Sequence, residues 1–207
     1  MPIALTFDDG PRQKSTVDLL VQLETLRIPA TFFVLGQMVE KSPAVLKRVA
    51  ASQCGHQIGN HSWSHPHFRS LTDDQIKDEI SKTEDLIENT LGESVIKLMR
   101  PPWGEATASQ RKMITSLGYQ LVFWNLDSND WNHHVHKNAA DISNFILKNI
   151  KDGQIVLAHD IHDRTIEAMK ILLPQLKQRG FLFATVSQLG TLPAVAGVSH
   201  SPVPGTH

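Results

Sequence analysis

A single cysteine, Cys54, is present among the 207 residues, so the chain cannot form an internal disulfide bond. No apolar run approaches the roughly 20 residues that a membrane-spanning helix needs. Acidic and basic side chains nearly cancel at a formal net charge of −1, and no block of like charge occurs. Because nucleic-acid-binding proteins carry a basic surface, this balance argues against a nucleic-acid partner and favours a neutral or weakly charged one.

The rest of the sequence has the pattern of one globular α/β domain. Hydrophobic residues make up 41% of the chain, enough at this length to bury a substantial core. Short apolar runs alternate with longer segments of helical period, which is typical of repeated βα units around a mainly parallel sheet. Periodicity does not distinguish a closed barrel from an open doubly wound sheet, but both place functional loops at the carboxyl ends of the strands. Strands are predicted at residues 3–7, 31–35, 57–59, 96–99, 120–124, 154–158 and 181–185.

Helix starts are marked by capping signals at two positions. Ser42 precedes Pro43, a cap followed by proline at the first helical position, and Thr72 and Gln75 have the spacing of a capping box. Further helices are predicted at residues 15–26, 109–117, 141–150 and 165–179. From residue 191 the periodicity gives way to Pro, Gly, Ser and His, so residues 1–190 are predicted to fold and residues 191–207 to form a flexible tail.

Residues that can carry chemistry collect at the ends of the predicted strands. The first strand runs into Asp8 and Asp9, and the third leads to His61 and His65. Histidines four apart on one helical turn share a face and can bind one metal ion. Two histidines and one carboxylate leave open positions on the metal, as in catalytic rather than structural sites.

Three further strand ends carry polar and aromatic residues. A histidine at a strand end is positioned for proton transfer, and a carboxylate from the adjacent strand would hold its ring and raise its pKa. Two prolines leave the Trp103 amide among the few backbone donors free to face a ligand, and Arg100 can hold a neighbouring carboxylate in its ionised form. The residues at these strand ends are Arg100, Pro101, Pro102 and Trp103, then Asp127, Asp130 and Trp131, then His159 and Asp160.

Each motif alone also has a purely structural interpretation. Asp followed by Gly and Pro is common in turns, and the Trp103 segment reads as a rigid loop with an aromatic lid. For His133, His134 and His136, a solvated loop is favoured over a second metal site, because no acid or cysteine lies at a fixed spacing. Five loops that carry such residues are predicted to meet at the carboxyl ends of the strands, and this convergence favours a functional site.

The order of these motifs resembles that of the polysaccharide deacetylase family, which is also the NodB homology domain and carbohydrate esterase family 4. The resemblance runs from Thr6 to about Leu189 and implies a single-domain, TIM-like distorted (β/α)7 barrel, with residues 1–190 as its catalytic domain. The segments that carry it are TFDDGP from Thr6, HSWSH from His61, RPPWG from Arg100, DSNDW from Asp127 and LAH from Leu157.

The resemblance also implies a role for each matched residue. The implied ligands of a divalent metal are Asp9, His61 and His65. The implied metal is zinc, although cobalt or other divalent ions are also accepted. The implied catalytic residues are Asp8 as general base, Arg100 as its tether, His159 as general acid, and Asp127, preferred over Asp130, as the residue that orients His159. The implied substrate contacts are Pro102, Trp103, Trp131 and Leu157.

The implied reaction is metal-dependent N-deacetylation of N-acetylglucosamine residues in peptidoglycan or chitin, with release of acetate. The segment HDIHDRT from His159 resembles peptidoglycan deacetylases more than xylan esterases. The alternatives are an O-acetyl esterase acting on xylan, a glycan-binding relative that has lost catalysis, and a non-haem iron oxygenase, whose ligand triad two histidines and one carboxylate also permit. The resemblance further implies a monomer that is secreted or cell-surface. Because the sequence opens on a strand and not a signal peptide, we expect any leader to have been removed.

Overall fold

The structure is a computed structural model and describes residues 1–191. Residues 192–207, most of the predicted flexible tail, lie outside the described residues. The strands are β1 (Pro2–Asp8), β2 (Thr31–Val34), β3 (Gln57–Asn60), β4 (Leu98–Met99), β5 (Gln120–Leu121), β6 (Leu126–Asp127), β7 (Ile155–His159) and β8 (Leu182–Ala184). The helices are α1 (Ser15–Leu26), α2 (Gly36–Lys41), α3 (Pro43–Ala51), α4 (Asp73–Leu91), α5 (Ala108–Ser116), α6 (Ala139–Asn149), α7 (Asp163–Gln178) and α8 (Val186–Thr191).

All the strand pairs are parallel, as the βα alternation predicts. The strand order is β5-β4-β3-β2-β1-β7-β6, and β8 pairs with the first residues of β1. The two end strands of this path, β5 and β6, follow each other along the chain, yet no pairing joins them within residues 1–191. The sheet is therefore a curled barrel with one open seam between β5 and β6.

Strand β1 lies at the centre of the fold and is buried on both faces. Its odd-numbered residues, Ile3, Leu5 and Phe7, pack in the main hydrophobic core with helices α1 and α7. Its even-numbered residues face the other way, where Ala4 packs in a smaller cluster with Phe33 of β2. Because successive side chains of a strand point to opposite faces, the even positions also carry Thr6 and Asp8 into the barrel interior.

The structure differs from the sequence prediction mainly around the open seam. The predicted strand at residues 120–124 ends at Leu121, because Phe123 and Trp124 leave the sheet to pack against Arg111 and Gly104. The two-residue strand β6 was not predicted. The short helices α2 and α8 were not predicted either, because each contains only 6 residues, too few to show a helical period. None of the helices within residues 1–191 combines the length and apolar character needed to cross a membrane.

The two predicted helix starts are both observed, but only one uses its side-chain cap. Helix α3 begins at Pro43, while the Ser42 side chain makes no capping hydrogen bond. At α4 the capping box is complete: the Gln75 amide donates to Thr72 Oγ1, and the Thr72 amide donates to Gln75 Oε1.

Replacing Thr72 with alanine should lower the free energy of unfolding by about 1 kcal/mol, because it removes the acceptor of the Gln75 amide. Chemical denaturation measures the loss. Ser81→Ala, an exposed position within α4, is the matched control and should stay within about 0.5 kcal/mol of the parent. Equal losses in the two variants would show that the cap does not stabilise α4.

Candidate active site

The register of two neighbouring strands brings the first acid and the last histidine of the predicted site together. Asp8 of β1 is paired with His159 of β7. Because paired residues of parallel strands face the same side, both side chains project into the mouth of the barrel. The next residue, Asp9, has a left-handed φ of 74°, which ends the strand and turns the chain into the following loop.

His61 and His65 do converge, but the predicted helical turn is wrong. They lie in an irregular loop after β3, and His65 has a left-handed φ of 62°. Glu79 of α4 holds this loop, because its Oε2 accepts the amide N–H of Trp63 at 2.9 Å and of Ser64 at 2.8 Å. A carboxylate from a distant helix therefore replaces the carbonyl acceptors that a helical turn would have supplied.

Asp9, His61 and His65 form a cluster with the geometry of a metal site. Asp9 Oδ1 lies 3.5 Å from His61 Nε2 and 3.6 Å from His65 Nε2. It is a buried oxygen that accepts no hydrogen bond from the described residues. His61 Nδ1 donates to the Arg100 carbonyl at 2.7 Å, so its lone pair lies on Nε2, which faces Asp9. No other such group, with its ligand atoms within 4.8 Å of one another, occurs in residues 1–191.

Both histidines of this cluster are held neutral. Burial lowers the pKa of His61 to about 3, against the opposing charge of Asp9. Burial also lowers the pKa of His65. Neutral imidazoles offer lone pairs, and two imidazoles with one carboxylate are a donor set that suits zinc and related divalent ions. These residues therefore fit a divalent metal.

Asp8 is fixed by a buried ion pair. Arg100 is fully buried, and its Nη1 donates hydrogen bonds to Asp8 Oδ1 at 2.7 Å and to Thr6 Oγ1 at 2.8 Å. The guanidinium lies over the Phe33 ring, 4.2 Å from its centroid. Burial raises the pKa of Asp8 more than Arg100 lowers it. The result is an oriented carboxyl group with increased proton affinity, which suits proton transfer.

Asp130, and not the predicted Asp127, orients His159. His159 Nδ1 donates to Asp130 Oδ1 at 2.7 Å, and Asp130 Oδ2 accepts the His159 amide and the Thr165 hydroxyl, each at 2.7 Å. Asp127 instead stabilises the turn after β6, where its Oδ1 accepts the Asn129 amide at 2.7 Å. The preference for Asp127 is wrong because this turn, in which Asn129 has a left-handed φ of 52°, directs the later carboxylate towards β7.

The ion pair with Asp130 keeps a proton on His159. Burial alone would lower the pKa of His159, but the charge and hydrogen bond of Asp130 raise it to about 9. The same contact, against the effect of burial, lowers the pKa of Asp130. At neutral pH His159 is therefore an imidazolium, with Nδ1 bound to Asp130 and Nε2 left to donate a proton.

The predicted substrate contacts lie around this centre in different environments. Trp103 is 55% exposed, stacks on His67 at 4.5 Å between ring centroids, and lies 4.9 Å from the His65 ring. Its backbone N–H has no hydrogen-bond acceptor among the described residues. Trp131 is exposed, whereas Pro102 is buried. Leu157 is buried in β7 and faces the same side as His159, two residues further along the strand.

Several residues that shape the site were not found from the sequence. Glu79 has no local signal, because it acts on a loop that precedes its helix by many residues. Thr6 accepts a hydrogen bond from Arg100, and Thr165 donates one to Asp130. In the sequence both threonines have the pattern of ordinary core positions. Asp160, which the sequence places at a predicted strand end without a role, is buried and accepts a hydrogen bond from Thr16 Oγ1, and burial raises its pKa to about 7. Among the remaining histidines, His136 is buried and not in a solvated loop.

Residues 1–122 match the sequence profile of polysaccharide deacetylases. The chain belongs to the polysaccharide deacetylase family. A peptidoglycan-N-acetylglucosamine deacetylase of Bacillus cereus is 36% identical over 191 residues, which cover 90% of this chain and 67% of the relative. The peptidoglycan-N-acetylglucosamine deacetylase PgdA of Listeria monocytogenes is 36% identical over 187 residues, which again cover 90% of this chain. The chain spans only 38% of the length of PgdA.

The fold of this deacetylase is also shared with solved members of the family. A family 4 acetyl xylan esterase from Clostridium thermocellum, solved in complex with a cobalt ion, superposes with a TM-score of 0.82 at 34% identity. The superposition covers 93% of this chain and 91% of that one. The predicted family and the predicted distorted (β/α)7 barrel are both confirmed.

Replacing Asp130 with asparagine should lower the pKa of His159 from about 9, moving its titration midpoint by about two pH units or more. The carboxylate charge that favours the imidazolium is lost, while the burial that disfavours it remains. Histidine NMR titration measures the change. Asp127→Asn is the matched control and should change the pKa much less; an equal fall in both variants would contradict the assignment of Asp130.

Proposed function

We propose that this deacetylase hydrolyses the acetamido group of N-acetylglucosamine residues in peptidoglycan and releases acetate. The observation that carries the proposal is the placement of two oriented proton-transfer groups around one metal-ligand cluster. In the strand order, Asp8 at the end of β1 and Asp9 directly after it lie between the loop of β3, which bears His61 and His65, and strand β7, which bears His159. The relatives named as peptidoglycan-N-acetylglucosamine deacetylases support the substrate.

The metal site is proposed to hold zinc, or cobalt as in the Clostridium thermocellum esterase. Its ligands would be Asp9, His61 and His65. When bound, a divalent ion here supplies Lewis-acid polarisation of the acetyl carbonyl and a bound water of lower pKa. The Nδ1–H of His61 stays on the Arg100 carbonyl, which keeps the ring oriented for the ion.

Asp8 is proposed as the general base. Its Oδ1 is occupied by Arg100, so the free oxygen is Oδ2, which lies 3.6 Å from His61 Nε2 and faces the cluster. Oδ2 would take the proton of the water that attacks the acetyl carbon. The Arg100 guanidinium holds the carboxylate in place as it gains and releases this proton.

His159 is proposed as the general acid. As the bond between the acetyl carbon and the amide nitrogen breaks, His159 Nε2 would donate its proton to that nitrogen, which gives acetate and a glucosamine residue. Asp130 would keep the ring oriented throughout. The unbound amide N–H of Trp103 can donate to the developing oxyanion, a type of contact worth about 3 kcal/mol. Trp131 and Leu157 would line the acetyl pocket, and Pro102 would stiffen the loop that carries Trp103.

The cellular context follows from the proposed substrate. Peptidoglycan lies outside the cytoplasmic membrane, so we propose that the deacetylase acts in the cell wall, secreted or attached to the cell surface. A monomer suffices, because every proposed site residue comes from one chain. The second candidate function is O-deacetylation of xylan, which the fold shared with the Clostridium thermocellum acetyl xylan esterase favours.

Acetate release from peptidoglycan, chitin oligomers and acetylated xylan, each with and without a chelator, tests the proposed function. We expect release from the N-acetylated glycans, its loss on chelation and its recovery when zinc or cobalt is added. Faster release from xylan would favour the esterase. Release from no glycan under any metal would contradict deacetylation.

Asp8→Asn should retain the metal and lower turnover by about 100-fold or more, because the proton acceptor is lost while the three ligands remain. His61→Ala should instead lose the metal, since it removes a ligand. Metal content by mass spectrometry and acetate release together separate the two effects. Full activity in Asp8→Asn would show that another group is the base.

A further inference from the structure

An open cavity of about 720 Å³ lies beside the catalytic centre, where the amino-terminal ends of α1 and α7 come together. It adjoins the site, because His162 lines it and the His162 ring centroid lies 6.1 Å from that of His159. Arg12, another lining residue, follows the metal-ligand loop of Asp9 by three positions. A substituent of a sugar bound against His159 would therefore lie next to this cavity.

The cavity carries positive charge that the described residues do not neutralise. Arg12 and Lys41 line it and make no ion pair within residues 1–191. Lys14 is already engaged, at 3.0 Å from Asp18 and 3.6 Å from Asp163. Asp163 is also the one acidic residue among the described lining residues. The balance in the cavity is thus strongly positive, although the chain as a whole has a formal net charge of −1.

Arg164 adds a third cation whose partners are neutral. Its guanidinium donates to the carbonyls of Asp130 and His136 and contacts the His133 ring. Within residues 1–191 it therefore forms no ion pair with a carboxylate. Its Nε is buried and has no partner among the described residues. The contact with the Asp130 carbonyl also connects the cavity to the residue that orients His159.

Unused hydrogen-bond donors point to an anion as the ligand. Ser15, the first residue of α1, is 4% exposed and lines the cavity, and its Oγ has no partner among the described residues. Among the described residues, no side chain caps the first turn of α1 or of α7. The amides of an uncapped first turn and the helix dipole both favour a bound anion. Burying the Ser15 hydroxyl without a hydrogen-bond partner costs free energy. A ligand oxygen that accepts its hydrogen bond would remove this cost.

We propose that this cavity binds a carboxylate of the glycan and so selects anionic peptidoglycan over neutral chitin. This inference rests on the proposed function, because it names the substrate that the deacetylase prefers. Peptidoglycan has two sources of such a group: the lactyl carboxylate of N-acetylmuramic acid where the peptide has been removed, and the peptide carboxylates where it is present. The planar fork of Arg12 or Arg164 matches a carboxylate of either source.

The test compares three substrates of matched length: chitin oligomers, peptide-free glycan strands and peptide-bearing strands. In Lys41→Glu, the ratio of kcat/KM for the anionic strands to kcat/KM for chitin oligomers should fall at least about fivefold, mainly through KM. Whichever anionic substrate loses more identifies the source of the carboxylate. Raising the ionic strength should raise the KM of the parent for the anionic strands, and it should raise the KM of Lys41→Glu less.

Lys47→Glu is the matched control. Lys47 is exposed on α3, does not line the cavity, and gives the same change in net charge. Its substrate ratio should stay within about twofold of the parent. Equal ratios in Lys41→Glu and Lys47→Glu, with acetate still released, would overturn the anion site and leave the proposed function standing.

A binding measurement keeps the two proposals separate. Calorimetry with the peptide-free and peptide-bearing strands, in the presence of a chelator, reports on the cavity without turnover. Weaker binding in Lys41→Glu and Arg12→Gln than in Lys47→Glu would support the anion site even if no glycan released acetate. Unchanged binding of both kinds of strand in the two cavity variants would overturn it.

Discussion

The buried ion pair between Arg100 and Asp8 is the constraint on which the rest of the site depends. The Arg100 side chain lies inside the barrel, where an unpaired guanidinium would be costly, and breaking such a pair typically costs about 3 to 5 kcal/mol. The same residue orients His61, since its carbonyl accepts the His61 Nδ1–H. Arg100 thus fixes the carboxylate with its side chain and the imidazole with its backbone. The proposed base and one proposed metal ligand share a single support at the end of β4.

The second ion pair, between His159 and Asp130, is built in a similar way on the opposite side of β1. Arg100 has a further acceptor in the Thr6 hydroxyl. Asp130 has further donors in the His159 amide and the Thr165 hydroxyl, so both pairs are buried with additional hydrogen bonds. Both environments raise a pKa, but for different reasons. At Asp8 burial outweighs the charge of Arg100, whereas at His159 the opposing effect of burial is outweighed by the charge and hydrogen bond of Asp130, with help from Asp8 and Asp9. Asp8 therefore gains affinity for a proton while His159 holds one at neutral pH, so that one site contains a proton acceptor and a proton donor.

The residue pattern predicted the βα alternation, the strand ends and the residues gathered there, because apolar runs and the spacing of the motifs are local signals. The barrel itself was implied only by the family resemblance. The pattern failed where long-range packing decides. The turn after β6 determines which of Asp127 and Asp130 faces His159, and two-residue strands leave no periodic pattern from which to predict that turn. The irregular loop of His61 and His65 depends on Glu79, which reaches it from α4. Net charge likewise concealed the basic cavity, since an average over the chain says nothing about where its charges lie.

The open seam of the barrel has a further consequence for how substrate range can diverge. The loop that bears Trp103 rests on this seam, because Gly104 packs so closely on Trp124 that an added Cβ would lie 2.7 Å from its ring. No strand hydrogen bonds cross the seam within residues 1–191, whereas the metal-ligand cluster is supported by β1, β2 and β3, which are paired along their carboxyl ends. The Trp103 loop is therefore held at the seam by side-chain packing, whereas the hydrolytic centre is held by paired strands, and the two meet where the Trp103 ring lies 4.9 Å from the His65 ring. A change of side chain at the seam can therefore alter the groove without breaking any strand pairing beneath the metal-ligand cluster.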